Sequence, residues 1–172
     1  MESTSTFSST LPIIVYARPA DRADLDWQEI DRGPGYFNIE AGWDICVRLK
    51  GIDDRVLGVL VKELTSVAML RFLNLSENRN INNKGLETLT ALPQLTILNL
   101  SSCSITSYGL MHLKALPRLE RLILSYCNKL DDDTFKPLDD MRSLLFVDIV
   151  GCLGIGQAAL SRVKRRTLTI LR

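Results

Sequence analysis

The hydrophobic positions of this chain recur in blocks. The lines Leu70-Arg-Phe-Leu73-Asn-Leu75-Ser-Glu-Asn78, Leu95-Thr-Ile-Leu98-Asn-Leu100-Ser-Ser-Cys103, Leu119-Glu-Arg-Leu122-Ile-Leu124-Ser-Tyr-Cys127 and Leu144-Leu-Phe-Val147-Asp-Ile149-Val-Gly-Cys152 stack on one another, and Leu168-Thr-Ile-Leu171-Arg172 begins a fifth. Their first leucines lie 25, 24, 25 and 24 residues apart. Self-similarity at one period over more than half a chain predicts a solenoid, whose units bury their apolar sides only against their neighbours. Within each line apolar and other residues alternate, which is the period of a strand with one buried face.

A second statement follows each strand: Ile52-Asp-Asp-Arg-Val-Leu57, Ile81-Asn-Asn-Lys-Gly-Leu86, Ile105-Thr-Ser-Tyr-Gly-Leu110, Leu130-Asp-Asp-Asp-Thr-Phe135 and Ile155-Gly-Gln-Ala-Ala-Leu160. Asp53, Asn82, Thr106 and Asp131 are N-cap types. Apolar residues then come three or four apart (Leu57, Leu60, Leu64; Leu86, Leu89, Leu92; Leu110, Leu113, Leu116; Phe135, Leu138, Met141), which predicts a short helix with one buried stripe. Leu92-Pro93 and Leu116-Pro117 end two of these helices, because the residue before proline is pushed out of the α region.

The pattern is different before Trp43. Residues 1–10 are small and polar and are expected to fray. Pro12–Tyr16 suits a short strand, and 17–35 reads as a charged loop with a brief helix over Asp24–Ile30, ending in the turn Gly33-Pro34-Gly35. Tyr36–Ile39 and Trp43–Leu49, on either side of Gly42, suggest a β-hairpin whose second arm is the first strand of the solenoid. A solenoid exposes its core at its first turn unless something covers it. Residues 1–43 are therefore expected to be a tail and capping segment, with Phe37, Ile39 and Trp43 over the apolar end. Residues 44–172 form the repeat domain.

The run Leu-x-x-Leu-x-Leu-x-x-Cys followed by Ile-Thr-x-x-Gly-Leu, at Leu95–Leu110, resembles the cysteine-containing subclass of leucine-rich repeats. That subclass is similar to the repeats of F-box substrate-recognition proteins and of bacterial leucine-rich-repeat proteins. The resemblance covers roughly 44–172. It implies an α/β leucine-rich-repeat solenoid with a parallel sheet on the concave face and short helices on the convex face, used for protein binding. The first repeat departs in its short step from Leu49 to Ile52, the second in having Asn78 in place of cysteine. Residues 1–43 show no F-box, so ubiquitin-ligase membership does not carry over.

Composition changes little. The chain has 172 residues, 46% hydrophobic and 24% charged, with a net charge of +1, which suits a folded domain with no global pull towards nucleic acid or membrane. The start lacks a basic n-region and the apolar run 11–17 is short, so a cytoplasmic protein without a spanning helix is expected.

Candidate chemistry is sparse. Cys103, Cys127 and Cys152 share one repeat position and would stack ~5 Å apart. Without a Cys-x-x-Cys pair they read as a ladder of small buried side chains rather than a zinc site. His112 is the only histidine, with no partner for acid–base or nucleophilic work. Asp131–Asp133 lacks the ligand pattern of a calcium loop and suits the start of a helix. Arg162, Lys164, Arg165, Arg166 and Arg172 make a basic end without aromatic stacking residues, so nucleic acid is not the expected partner. No catalytic residue, metal or cofactor is expected.

The informative positions lie between the buried leucines. One column reads Cys46, Phe72, Ile97, Arg121, Phe146, Ile170, and the next Arg48, Asn74, Asn99, Ile123, Asp148, Arg172. An apolar strip with a polar rim is what a protein-binding surface presents. The expected site is therefore Phe72, Asn74, Ile97, Asn99, Arg121, Ile123, Phe146 and Asp148, binding a protein partner. Two other readings stand beside it: the N-terminal segment covers these residues itself, or the chain self-associates through the open edge of its C-terminal strand.

Overall fold

The structure is a computed structural model that describes residues 4–163, 165 and 167–172. The repeated lines form the strands β6 (Leu70–Asn74), β7 (Ile97–Asn99), β8 (Arg121–Ile123), β9 (Phe146–Asp148) and β10 (Thr169–Leu171). Earlier in the chain come β1 (Thr4–Ser9), β2 (Ile14–Pro19), β3 (Gln28–Arg32), β4 (Gly35–Glu40) and β5 (Trp43–Arg48). An eight-stranded sheet runs in the order β10-β9-β8-β7-β6-β5-β2-β3, parallel from β5 to β10 and antiparallel through β2 and β3.

The connections carry α1 (Asp54–Leu64), α2 (Asn83–Thr88), a 3-10 helix over Gly109–Ala115, α3 (Phe135–Leu138) and α4 (Gln157–Ser161). Their stripes Leu57/Leu60/Leu64, Leu86/Leu89/Leu92, Leu110/Leu113/Leu116 and Phe135/Leu138/Met141 are all buried, in one core with the strand leucines.

Four local expectations need correction. Residues 4–9 are a strand rather than a frayed tail, because β1 pairs antiparallel with β4 and Phe7 stacks on Phe37 at 4.9 Å. Consequently β4 and β5 are not a hairpin: they flank the Gly42 turn but belong to different sheets. The charged stretch expected to be loop or helix contains the edge strand β3, exposed along its whole length and paired to β2. Finally, β10 is one residue out of the expected register. Ile170 pairs with Val147 on the inward row and Leu171 with Asp148 on the outward one. One residue of slip exchanges the two faces of a strand, so Ile170 packs against the core and Leu171 is exposed.

The small β1/β4 sheet lies beside the first repeat. The Ser9 and Thr10 hydroxyls each donate to the Glu63 carboxylate of α1 at 2.6 Å. Burial pushes the Glu63 pKa up, but the Ser9 and Thr10 hydroxyls and the Thr10 N–H outweigh it and hold the carboxyl below its ordinary value.

Two hydrogen-bond ladders join successive repeats. In the first, the thiols of Cys103, Cys127 and Cys152 donate to the carbonyls of Leu75, Leu100 and Leu124 at 3.4, 3.1 and 3.0 Å. Asn78 takes the same place one repeat earlier. Its amide nitrogen donates to Leu49 O and Leu75 O at 2.8 and 2.9 Å, and its Oδ1 accepts from Ile52 N at 3.0 Å. The short step from Leu49 to Ile52 leaves Ile52 N–H in need of an acceptor. A thiol is a poor acceptor and an amide a good one, which accounts for asparagine at this position.

In the second ladder, the side chain two residues after each Ile/Leu accepts from the backbone N–H of the following repeat. Asp54 Oδ1 accepts from Asn82 N at 2.9 Å, Asn83 Oδ1 from Thr106 N at 2.9 Å, Ser107 Oγ from Asp131 N at 3.2 Å and Asp132 Oδ1 from Gly156 N at 2.6 Å. The recurring Gly-Leu follows from this ladder, because a Cβ at Gly85 or Gly109 would collide with the Asp54 or Asn83 carbonyl-type oxygen. Where the acceptor is the shorter Ser107, Thr134 replaces the glycine and bonds to it at 2.9 Å.

The caps follow the same logic. Asp53, Asn82 and Asp131 accept from Val56 N, Lys84 N and Asp133 N, as expected for N-caps. Thr106 is not a cap. Its hydroxyl accepts from Asn83 Nδ2 at 2.8 Å, and the helix that follows is 3-10. The Asp131–Asp133 run is divided among a cap, a ladder acceptor and an ion pair from Asp133 to Lys136 at 2.7 Å.

Gly109→Ala is expected to destabilise the fold by about 1–3 kcal/mol through overpacking against Asn83. Adding Asn83→Ser should return part of that loss, as Ser107 does for Thr134. Urea unfolding of the two single variants and the double variant measures the coupling, and strictly additive losses would refute it.

Burial pushes the thiols of Cys46, Cys103 and Cys127 from the ordinary 9.0 up to about 12, and raises that of Cys152. Above pH 9 the unfolded chain loses thiol protons that the folded chain keeps. This contribution is therefore intact below 9 and is lost as the pH climbs towards 12. Native protein should resist alkylation near pH 9, with the thiolate ultraviolet band growing in only on unfolding; rapid alkylation of folded protein would count against it.

Candidate functional site

The face of the large sheet away from the helices collects the outward residues of each strand. Register places Tyr16, Cys46, Phe72, Ile97, Arg121 and Phe146 in one row, ending at Thr169. The neighbouring row is Ile14, Arg48, Asn74, Asn99, Ile123 and Asp148, ending at Leu171. All eight residues expected from the sequence thus lie side by side on one surface. Ile14 and Tyr16 were missed. Their signal was present in the alternation with buried Ile13, Val15 and Ala17, but it is readable as part of this face only once β2 is known to pair with β5.

The face has two halves. At the β2 end, Trp27 leans on Phe72 with ring centroids 6.0 Å apart, and the Arg18 guanidinium lies 4.3 Å from the Trp27 ring centre. Cys46, between β2 and β6, is only 3% exposed. Here the N-terminal segment covers the row itself, through a tryptophan that the polar pattern of 17–35 gave no reason to single out.

At the other end, Ile97, Ile123 and Phe146 are half-buried and Arg121 is exposed. The Arg121 guanidinium sits 4.4 Å from the centre of the Phe146 ring, a cation–π contact that keeps a cation on an apolar patch. Asn74, Asn99 and Asp148 are already engaged, since each Oδ1 accepts from the N–H two residues on, Ser76, Ser101 and Val150, at 3.1, 2.9 and 2.8 Å. These turns close the strand ends, so Asn74, Asn99 and Asp148 shape the rim. The free chemistry of this end of the face comes from Ile97, Arg121, Ile123 and Phe146.

The remaining candidates sit elsewhere. His112 is half-buried in the 3-10 helix on the helical side. The cysteine thiols of the repeats are committed to carbonyls. Among the described residues no group of three or more His, Cys, Asp or Glu is arranged to hold a metal ion. Of the basic end, Lys164 and Arg166 lie outside the described residues. Arg165 donates to Met141 O and Leu144 O at 2.6 Å each, and Arg172 to Gln157 Oε1 and Ile155 O at 2.8 and 3.1 Å. These two arginines hold the last repeat to the rest of the chain. No helix among the described residues is long and apolar enough to cross a membrane.

Residues 93–140 match the family model of leucine-rich repeats in two copies, and residues 68–89 match that of the single leucine-rich repeat. No curated protein matches the chain in sequence. The matched segments run from β6 into α2 and from β7 through β8 to α3, the part of the chain where both ladders run, and over these residues the chain carries leucine-rich repeats.

Proposed function

We propose that this chain is a non-enzymatic protein-interaction module that binds its partner across the open face of the sheet. Leucine-rich repeats generally mediate protein–protein interaction. The observation that carries the reading here is the patch of half-buried Ile97, Ile123 and Phe146 on adjacent registered strands, with Arg121 held over Phe146. On this reading the repeats form a short solenoid with the sheet on its concave side, and the β1/β4 sheet caps the first turn with Phe37 and Ile39. The cytoplasm is the compartment that suits its reduced, buried thiols.

The partner footprint is centred on β7–β9, not on Phe72, because Trp27 already occupies the Phe72 end. Self-association through β10 is the weaker reading, since that edge offers a ladder of only three residues. Arginine and aromatic residues are the usual hot-spot types. Arg121→Ala with Phe146→Ala should therefore weaken capture of a specific partner by about tenfold or more, while Phe72→Ala leaves it nearly unchanged. Affinity capture with the folded variants decides this. Undiminished capture by the Arg121/Phe146 variant would remove the face from consideration.

A further inference from the structure

Beyond the open face, the turns that follow β6, β7 and β8 enclose a hollow of about 480 Å³ lined by Arg79, Ser102, Ser104, Tyr126, Asn128 and Lys129, with Cys103 at its floor. The sequence explains the hollow. Arg79, Ser104 and Asn128 each follow the ladder residue of their repeat, as Ser102 and Tyr126 each precede it. The middle repeat therefore offers only Ser102, Cys103 and Ser104, all small, between Arg79 on one side and Tyr126, Asn128 and Lys129 on the other. Successive turns lie ~5 Å apart, so the arginine and the lysine line the hollow from the turns on either side of the small middle one.

The charge in this hollow is one-sided. No acid lines it. The flanking acids are engaged elsewhere: Glu77 pairs with Lys50 at 2.7 Å, and Asp131 accepts from Ser107 Oγ at 2.6 Å and from Asp133 N at 3.0 Å. Tyr126 is held at its wall, because its ring lies over Gly151 where a Cβ would collide with it. The floor thiol is spent on Leu75 O.

We infer that this hollow binds a phosphate dianion, free or as a monoester, with Arg79 and Lys129 as the paired cations and Ser102, Ser104, Tyr126 and Asn128 as neutral donors. The chemistry is that of charge-assisted hydrogen bonds to phosphate oxygens, with arginine supplying a planar fork and lysine a point charge. The inference does not depend on the partner-binding reading, because none of these side chains belongs to the β7–β9 patch.

The test is a titration of the labelled full chain, followed by its backbone amide resonances, with inorganic phosphate and separately with N-acetyl-O-phosphoserine amide. Saturable shifts should concentrate at 79, 102–104 and 126–129. Arg79→Gln with Lys129→Gln should weaken them by about tenfold or more. Both residues are exposed, so the variant's other amide resonances should stay in place, and they serve as the check on folding. Tighter binding of the ester than of the ion assigns the site to phosphorylated groups, and the reverse order assigns it to the free anion. Absence of shifts at these residues with both probes, or shifts of equal strength in the double variant, overturns the inference.

Discussion

Every turn of this chain leaves backbone groups that its own residues cannot satisfy, and a neighbouring turn supplies the partner. Buried N–H and C=O groups must be paired somewhere, and short strands of three residues cannot do it with sheet hydrogen bonds alone. The two side-chain ladders close the account, one at the strand ends through Asn78 and the cysteines, the other at the helix starts through Asp54, Asn83, Ser107 and Asp132. Both link residues about one repeat apart. Stability therefore resides in the joints between repeats as much as in the repeats, which is the general condition of a quasi-one-dimensional fold.

That condition decides which side chains remain for function. On the helical side, small and polar residues at the helix starts are consumed by the ladder, so a run such as Asp131–Asp133, conspicuous in the sequence, is structural. On the sheet side, Asn74, Asn99 and Asp148 close their own turns. Among the residues left without such duties are the apolar and arginine positions on β7–β9 and the cations and hydroxyls at the strand-end turns.

Much of this was legible in the sequence because the repeat imposes its period on every level at once. The strand rows, the helical stripes and the cysteine positions could be read from Leu70 onward, and the eight residues expected on the open face do lie together. The failures come where the period stops constraining the chain. β3 is a charged edge strand, whose alternation is invisible because neither of its faces is buried. β1 is polar and is fixed by a partner 26 to 36 residues away in sequence, a non-local pairing that no local pattern announces. The expected register of β10 fails by one residue because Leu168 and Leu171 imitate the earlier lines, although Ile170, not Leu171, pairs with Val147.

Trp27 shows why a site is harder to read than a fold. From the sequence it is one aromatic residue in a polar stretch, with no periodic neighbour. In the structure it lies on Phe72 beneath Arg18 and takes one half of the open face out of use. Burying an aromatic pair with a stacked guanidinium is favourable by itself, so this half needs no external partner to be satisfied. Phe146 has an equivalent cation, Arg121, but among the described residues it has no aromatic partner. The two ends of one face, alike in residue type, therefore differ in their cover: Trp27 lies on Phe72 at one end, while at the other Ile97, Ile123 and Phe146 stay half-buried and Arg121 exposed.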